Sequence, residues 1–193
     1  MTEQEFVEFV KKECKYYVVK CNLNNTKQCN FGKGRCSGFF EQSIPELRVA
    51  MQNDVWLSIL VHEYCHVRQW IEKDPIWIKN IEDKSYEEWE RMSQGEEIDV
   101  EYHLSNIREL ELNNERRSVA LIKELDLPID VRDYTKKANS YIMFYNYMKI
   151  SKRWCKFPPY KNKRIMEAMP DTFSLNYTKL PKRLETIYRE EGI

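Results

Sequence analysis

The sequence predicts an α+β fold in which a small antiparallel sheet packs on a predominantly helical body. Glycine and proline are scarce, at 5 and 7 of 193 residues, which disfavours loop-rich all-β folds and favours helices. Short runs of β-branched and aromatic residues, typical of strands, lie before residue 54. From Asp54 onward, apolar residues recur at helical spacing. This distribution places the predicted sheet in the N-terminal part of the chain and the helical body after it.

The N-terminal part is predicted to hold one helix and the strands. Thr2 and Glu5 have the spacing of a capping box, which predicts that the first helix begins there. The predicted strands cover residues 16–21, 35–40 and 46–51. Residues 22–34 are rich in Asn, Gly and Lys and predict a loop or a wide turn.

The rest of the chain is predicted to be helical. An amphipathic helix begins near residue 54 and ends at Asp74, because Pro75 follows. Further helices are predicted at residues 85–92, 96–125 and 133–154, with a connector at residues 75–83 and short helical turns after residue 157. We expect a single domain over residues 1–193, with a core of residues 16–125 and a C-terminal helical wrap of residues 133–193.

The balance of charges indicates which classes of partner are not expected. Basic and acidic residues number 31 each, so the formal net charge is zero. A neutral chain offers no electrostatic footprint for nucleic acid or for an anionic membrane. Aromatic residues make up 13% of the chain, which excludes a disordered protein. We therefore expect no nucleic acid and no membrane as partner, and the composition leaves the oligomeric state open.

The expected compartment is the cytoplasm. No apolar run approaches the roughly 20 residues of a transmembrane helix, and the first residues are polar and acidic, unlike a signal peptide. Cysteines should be reduced thiols in that compartment. Four of the six cysteines lie in the N-terminal part without the C-x-x-C spacing of a structural zinc site: Cys14, Cys21, Cys29 and Cys36.

His62, Glu63 and His66 form an H-E-x-x-H motif inside a predicted helix. Residues at i and i+4 share one face of a helix, so both imidazoles can reach a single metal ion. Glu63 lies about 100° around the helix from His62, where it can take the proton of a metal-bound water. The motif thus predicts one zinc ion per chain with Glu63 as general base. The alternative is a pair of histidines that are solvated or satisfied in the core.

A zinc site needs a third protein ligand, and the long predicted helix offers several. The candidates are His103, Glu109, Glu111 and Glu115. Glu111 and Glu115 are four residues apart and share a face, so one can bind the metal while the other hydrogen-bonds to a metal-bound histidine. A helix rich in glutamate is more often a solvated face, so the residues alone leave the third ligand open.

Together these residues resemble the gluzincin zinc metallopeptidases. Their pattern is H-E-x-x-H on one helix and a glutamate on a later helix, followed four residues on by Asp or another polar residue. The resemblance implies zinc bound by His62, His66 and Glu111, with Glu63 as the catalytic base. Glu115 stands where Asp is usual and would take its supporting role. The order of elements is similar to that of zincins, which implies a zincin-like fold with the metal between two helices.

More closely, residues 61–66, 111–119 and 137–141 resemble uncharacterised metallopeptidases encoded by phages and prophages. This resemblance implies a soluble protein in the cytosol of a host cell, with no established substrate. The leading hypothesis is an active hydrolase that cleaves a specific protein or peptide substrate. Tyr141 and His103 are candidates to stabilise the oxyanion of the transition state, although a tyrosine stripe is more often core. The competing hypotheses are a zinc-binding interaction protein with lost peptidase activity and a metal-dependent hydrolase of a non-peptide substrate.

A strand near residues 36–40 bears on how a substrate would bind. An extended peptide can add to an exposed sheet edge by main-chain hydrogen bonds. Residues 36–40 are a candidate for such an edge strand beside the metal. The equally acceptable alternative is an ordinary strand in which Gly38 marks a bulge.

Overall fold

The computed structural model describes residues 1–32, 34–93 and 96–193, without the side chain of Ser93. These residues form an α+β fold, as predicted. The chain divides into two compact units, Met1–Asp74 with Arg117–Asp130, and Pro75–Arg116 with Val131–Ile193. The bounds of these units differ from those of the predicted core, residues 16–125, and of the predicted wrap, residues 133–193. That the whole chain works as a single domain stays a prediction.

The first unit contains all of the strands that are formed by the described residues. Its elements in chain order are α1 (Glu3–Tyr16), β1 (Lys20–Asn24), β2 (Cys29–Phe31), β3 (Gly34–Cys36), β4 (Gly38–Glu41), β5 (Glu46–Ala50) and α2 (Trp56–Ile71). The capping box of α1 is confirmed, because Glu5 N–H donates to Thr2 Oγ1 and Thr2 N–H donates to the Glu5 carboxylate.

The prediction of an antiparallel sheet is wrong for one pair of strands. The three-stranded sheet has the order β1-β5-β4, with β4 antiparallel to β5 but β1 parallel to it. Parallel neighbours need a crossover connection, and the chain supplies one through the β2–β3 hairpin and β4. The hairpin lies partly in the predicted loop of residues 22–34, of which Lys33 falls outside the described residues.

Helices α1 and α2 form the core of the first unit with the central strand β5. Leu47 and Val49 of β5 and Leu60 of α2 are fully buried. Phe6 and Phe9 of α1 meet the ring of Tyr64 edge-on, at centroid distances of 6.3 and 5.7 Å. Burial of this apolar side fixes the rotation of α2 about its axis. His62 and Glu63 consequently lie on a half-buried side of the helix.

The second unit is helical in its described residues. Its elements are α3 (Pro75–Glu82), α4 (Ser85–Ser93), α5 (Val100–Glu124), α6 (Val131–Ser151), a short 3₁₀ helix (Pro159–Lys161), α7 (Lys163–Ala168) and α8 (Lys182–Glu190), and the last turns of α5 belong to the first unit. The predicted connector at residues 75–83 is therefore wrong. Pro75 begins a helix there, as proline can at the first helical position. The predicted long helices are confirmed within a few residues of their ends.

The C-terminal segment packs on α6. Residues 142–148 of α6 are all buried. Asn139 donates to the carbonyl oxygens of Pro170 and Thr172 and accepts from the Tyr177 hydroxyl at 2.6 Å. Tyr188 donates to the carbonyl oxygen of residue 140 at 2.8 Å. Paired polar groups of this kind hold the C-terminal segment in one register on α6.

Candidate metal centre

The two histidines of the H-E-x-x-H motif share one face of α2. Their ring centroids are 4.8 Å apart, with an angle of 87° between the ring planes. His66 is 7% exposed and His62 is half-buried. The geometry follows from the i, i+4 spacing in a regular helix and confirms that both imidazoles can approach one ion.

Gln69 orients the ring of His66. Its Oε1 lies 2.8 Å from His66 Nδ1, and its side chain is fully buried. An amide oxygen only accepts hydrogen bonds, so Nδ1 carries the proton and donates it. In this tautomer Nε2 is the ring nitrogen that carries a lone pair and can act as a metal ligand. Gln69 was missed in the sequence, although its i+3 position relative to His66 was a usable signal.

Replacing Gln69 by alanine should weaken zinc binding about 10-fold or more, the usual scale for a group that orients a metal ligand. Without its acceptor, the His66 ring is free to rotate and to change tautomer. Gln69→Glu keeps an acceptor at the same place and should bind zinc more tightly than Gln69→Ala. Competition titration with a chelator measures both. Equal zinc affinity in the wild type and Gln69→Ala would contradict the role assigned to Gln69.

The structure brings His62, His66 and Glu111 together. One ligand atom from each residue lies within 4.8 Å of the other two. Ligand atoms of a tetrahedral zinc ion, each bound at about 2.0–2.2 Å, lie about 3.4 Å apart, so small side-chain rotations suffice to bind one ion. Two imidazoles and a carboxylate are a donor set that zinc prefers. Among the described residues, no other group of three His, Cys, Asp or Glu side chains meets this criterion.

Tyrosines of the second unit surround the Glu111 carboxylate. The Tyr86 hydroxyl, on α4, donates to Glu111 Oε1 at 2.6 Å. Burial, followed by the negative charge of Glu111, raises the pKa of Tyr145 well above its ordinary value. Tyr145 is therefore a neutral phenol close to this carboxylate. Neither tyrosine was singled out for this position in the sequence, because their approach to Glu111 depends on how α4 and α6 pack.

Glu115 is buried on α5, one turn beyond Glu111. The Tyr134 hydroxyl donates to Glu115 Oε2 at 2.6 Å, and the carboxylate is 9% exposed. A partner of this kind fixes the carboxylate, as expected for a residue that supports a metal ligand. Its predicted hydrogen bond to a metal-bound histidine stays a prediction.

The two candidates for oxyanion stabilisation lie in different surroundings. His103 is two turns before Glu111 on α5, about 12 Å along the axis, and its Nδ1 lies 3.5 Å from Ser85 Oγ. Tyr141 is half-buried on α6, and burial is the main cause that raises its pKa, followed by Cys155, Tyr160 and Glu115. Tyr141 thus keeps its proton and can donate a hydrogen bond. Neither residue belongs to the group of three ligands, and both roles stay predictions.

Glu63 lies against β4, which is an edge strand of the three-stranded sheet. A Cβ atom on Gly38 would lie 3.2 Å from Glu63 Cγ and only 2.6 Å from Ile59 Cγ2. The absence of a side chain at residue 38 is what allows α2 and β4 to approach so closely. Gly38 pairs in register with Val49 of β5, so the edge strand that was considered for residues 36–40 exists, at Gly38–Glu41.

Gly38→Ala should destabilise the fold by about 1–3 kcal/mol, the usual cost of an added methyl group in a packed site. The new methyl group would meet Ile59 at 2.6 Å and the Arg48 carbonyl oxygen at 3.1 Å. Gly34→Ala is the matched control, because its Cβ would meet only the Phe31 carbonyl oxygen at 3.6 Å. Denaturant unfolding compares the two. Equal stability of both variants would show that α2 and β4 are not in close contact.

The cysteines of the N-terminal part form two pairs. Cys29 and Cys36 are directly opposite each other in the β2–β3 hairpin. The Cys14 thiol hydrogen-bonds to Cys21, which raises the pKa of Cys14 and lowers that of Cys21. Each of the six cysteines, all of which lie in the described part of the chain, is a thiol and not part of a disulfide. Cys65, between the two histidines, is buried as a small apolar residue, as expected from the sequence.

Comparisons with known proteins add no relative to this description. Neither the protein-family models, nor the curated proteins, nor the solved structures contain a match to the chain. Within the described ranges, every helix is too short or too polar to cross a membrane. The functional assignment must therefore rest on the motif and on the convergence of His62, His66 and Glu111.

Proposed function

We propose that the protein is a zinc-dependent metallopeptidase that hydrolyses peptide bonds of a specific protein substrate. The observation that carries the proposal is the convergence of His62, His66 and Glu111, with Glu63 next to the first ligand in sequence. Three protein ligands leave one position of a tetrahedral zinc ion for water, as in catalytic sites, whereas structural sites use four. A general base such as Glu63 is needed only if the site performs chemistry.

Each residue of the site has a distinct task in this mechanism. Zinc, when bound, would supply a Lewis acid that lowers the pKa of a bound water to about 7 and polarises the scissile carbonyl. Glu63 accepts the proton of the attacking water and passes it to the nitrogen of the leaving amine. Gln69 keeps His66 in the tautomer that can bind metal, and the hydrogen bond from Tyr86 orients the Glu111 carboxylate.

The edge strand β4 supports an extended peptide as substrate. Edge strands present unpaired N–H and C=O groups, to which a peptide can add as a further strand. Gly38 brings this edge against Glu63. A peptide bound along β4 would therefore pass close to the residue that takes the proton.

The proposal is tested by digestion of an unbiased peptide library. Zinc-loaded protein should create new peptide termini that mass spectrometry detects, with a shared preference around the cleaved bond. Chelator-treated protein is the control and should create none until zinc is restored. A zinc-loaded, folded protein that cleaves no member of the library and no protein of a denatured proteome would contradict the proposal and favour a zinc-binding interaction protein.

A further inference from the structure

Val18 holds an apolar side chain in solvent in an unfavourable backbone conformation. Its φ is 58° and its side chain is 85% exposed. β-branched residues rarely adopt this left-handed region, which glycine and asparagine occupy more easily. The other non-glycine residues with positive φ in the described chain are polar: Lys73, Lys84, Asp126 and Lys152. Strain at an exposed apolar residue points to a role in contact with another surface.

Val18 is part of a larger exposed apolar surface. Tyr16 is 77% exposed and Tyr17 is 38% exposed, in the same turn between α1 and β1. Ile44, in the turn before β5, is 72% exposed. We name Tyr16, Tyr17, Val18 and Ile44 the apolar tip.

The two turns of the apolar tip lie side by side at one end of the sheet. Strands β1 and β5 are parallel, with Lys20 opposite Glu46, so Val18 and Ile44 each precede this pair by two residues. The Lys20 N–H donates to the Pro45 carbonyl oxygen at 2.8 Å, which ties one turn to the other. Parallel strands are about 4.8 Å apart, so the two turns that carry these exposed side chains are close neighbours.

Lysines flank the apolar tip. Residues 11–20 contain four lysines and one glutamate, and Lys12, Lys15 and Lys20 are exposed. The nearby Glu46 is 13% exposed and accepts hydrogen bonds from Arg48 and Asn22. Lys20 also pairs with Glu46 at 3.9 Å, and Lys11 pairs with Glu8 at 3.0 Å. The positive charge beside the tip therefore comes from the exposed Lys12 and Lys15, although the whole chain is neutral.

We propose that the apolar tip binds reversibly to the surface of an anionic lipid bilayer. Val18 and Ile44 would enter the boundary between headgroups and acyl chains. The two tyrosines suit the headgroup level, where their rings find both apolar and polar surroundings. The flanking lysines attract anionic lipids. The neutral net charge argued against a membrane partner. A net charge, however, gives no information on whether basic residues cluster locally beside exposed apolar side chains.

The proposal is independent of the proposed peptidase activity, since the tip assigns a location and not a reaction. Four apolar side chains are too few for permanent anchoring, so binding should be weak and reversible. It should also weaken as salt is added, because the lysine contribution is screened. A partner protein with an acidic rim is the other surface that could cover the tip, and it would not reproduce binding to pure lipid.

The experiment is co-sedimentation of the full chain with vesicles that contain phosphatidylserine, compared with vesicles of phosphatidylcholine alone. The wild type should sediment with the anionic vesicles and much less with the neutral ones. Val18→Gly should lower the affinity for anionic vesicles about 10-fold, because the inserted side chain is lost. Its melting temperature should not fall, since glycine relieves the left-handed strain.

Matched variants make the outcome decisive. Lys84→Gly relieves a similar backbone strain, at φ 50°, without removing apolar surface, and it should bind vesicles like the wild type. Ile44→Ser should weaken binding without touching residue 18. Wild-type protein that stays in the supernatant with anionic vesicles overturns the proposal. Equal binding of the wild type and Val18→Gly, or equal binding to neutral and anionic vesicles, overturns it as well.

Discussion

Glu63→Gln should lower the rate of peptide hydrolysis by about 10²-fold or more, the scale of a lost general base. Glutamine keeps the size and the hydrogen bonds of the side chain, but it cannot accept the proton of the attacking water. The zinc content and the melting temperature should stay close to those of the wild type, since Glu63 is not among the three converging ligands. The initial rate on a peptide identified in the library digest measures the loss.

The control for this prediction is Glu109→Gln. Glu109 is exposed on α5, so the same loss of one negative charge should leave the rate unchanged. Both variants are compared at equal zinc occupancy. If Glu63→Gln hydrolyses the peptide as fast as Glu109→Gln, Glu63 is not the base and the proposed mechanism fails.

Glu111→Ala should weaken zinc binding by at least about 10-fold, because loss of a direct ligand costs more than loss of a residue that only orients one. Two imidazoles alone would remain, and zinc sites use three or four protein ligands. Peptide hydrolysis should fall in step with zinc occupancy. Titration against a metal-binding dye gives the affinity of each variant.

Glu109→Ala is the matched control for the third ligand, since it removes a carboxylate from the same helix. Unchanged zinc affinity in Glu111→Ala would exclude Glu111. His103→Ala is then the next variant to measure, because His103 was another of the candidate ligands on α5, beside Glu109 and Glu115. If zinc affinity falls in His103→Ala but not in Glu111→Ala, His103 and not Glu111 is the third ligand.

The placement of the H-E-x-x-H motif on one helix face was predictable from the sequence because its geometry is local. The spacing of His62 and His66 places both rings on one helix face in any regular helix. Glu111 was harder, since several residues of α5 carry a suitable donor and only its spacing to Glu115 and the family pattern favoured it. Two supporting residues were missed. Gln69, the hydrogen-bond partner of the His66 ring, lies at the i+3 position and could have been found from that spacing. Tyr86, which donates to the Glu111 carboxylate, could not, because its position depends on helix packing.

The fold, too, was predictable where its signals are local along the chain. Helix periods and caps are local signals, so α2, α4, α5 and α6 were placed with small errors at their ends. The parallel pairing of β1 with β5 depends on strand order, which alternation of residues along a single strand does not encode. Pro75 was taken as the end of a helix, whereas it also begins the next one.

X-ray absorption at the zinc K-edge shows directly whether zinc is bound by His62, His66 and Glu111. We expect one zinc ion per chain with only light atoms around it. Nitrogen ligands should lie at about 2.0–2.1 Å and oxygen ligands at about 2.0–2.2 Å. The imidazole signature should correspond to two histidines. A shell of sulfur at about 2.3 Å would contradict the account, because it would place the metal on the cysteines.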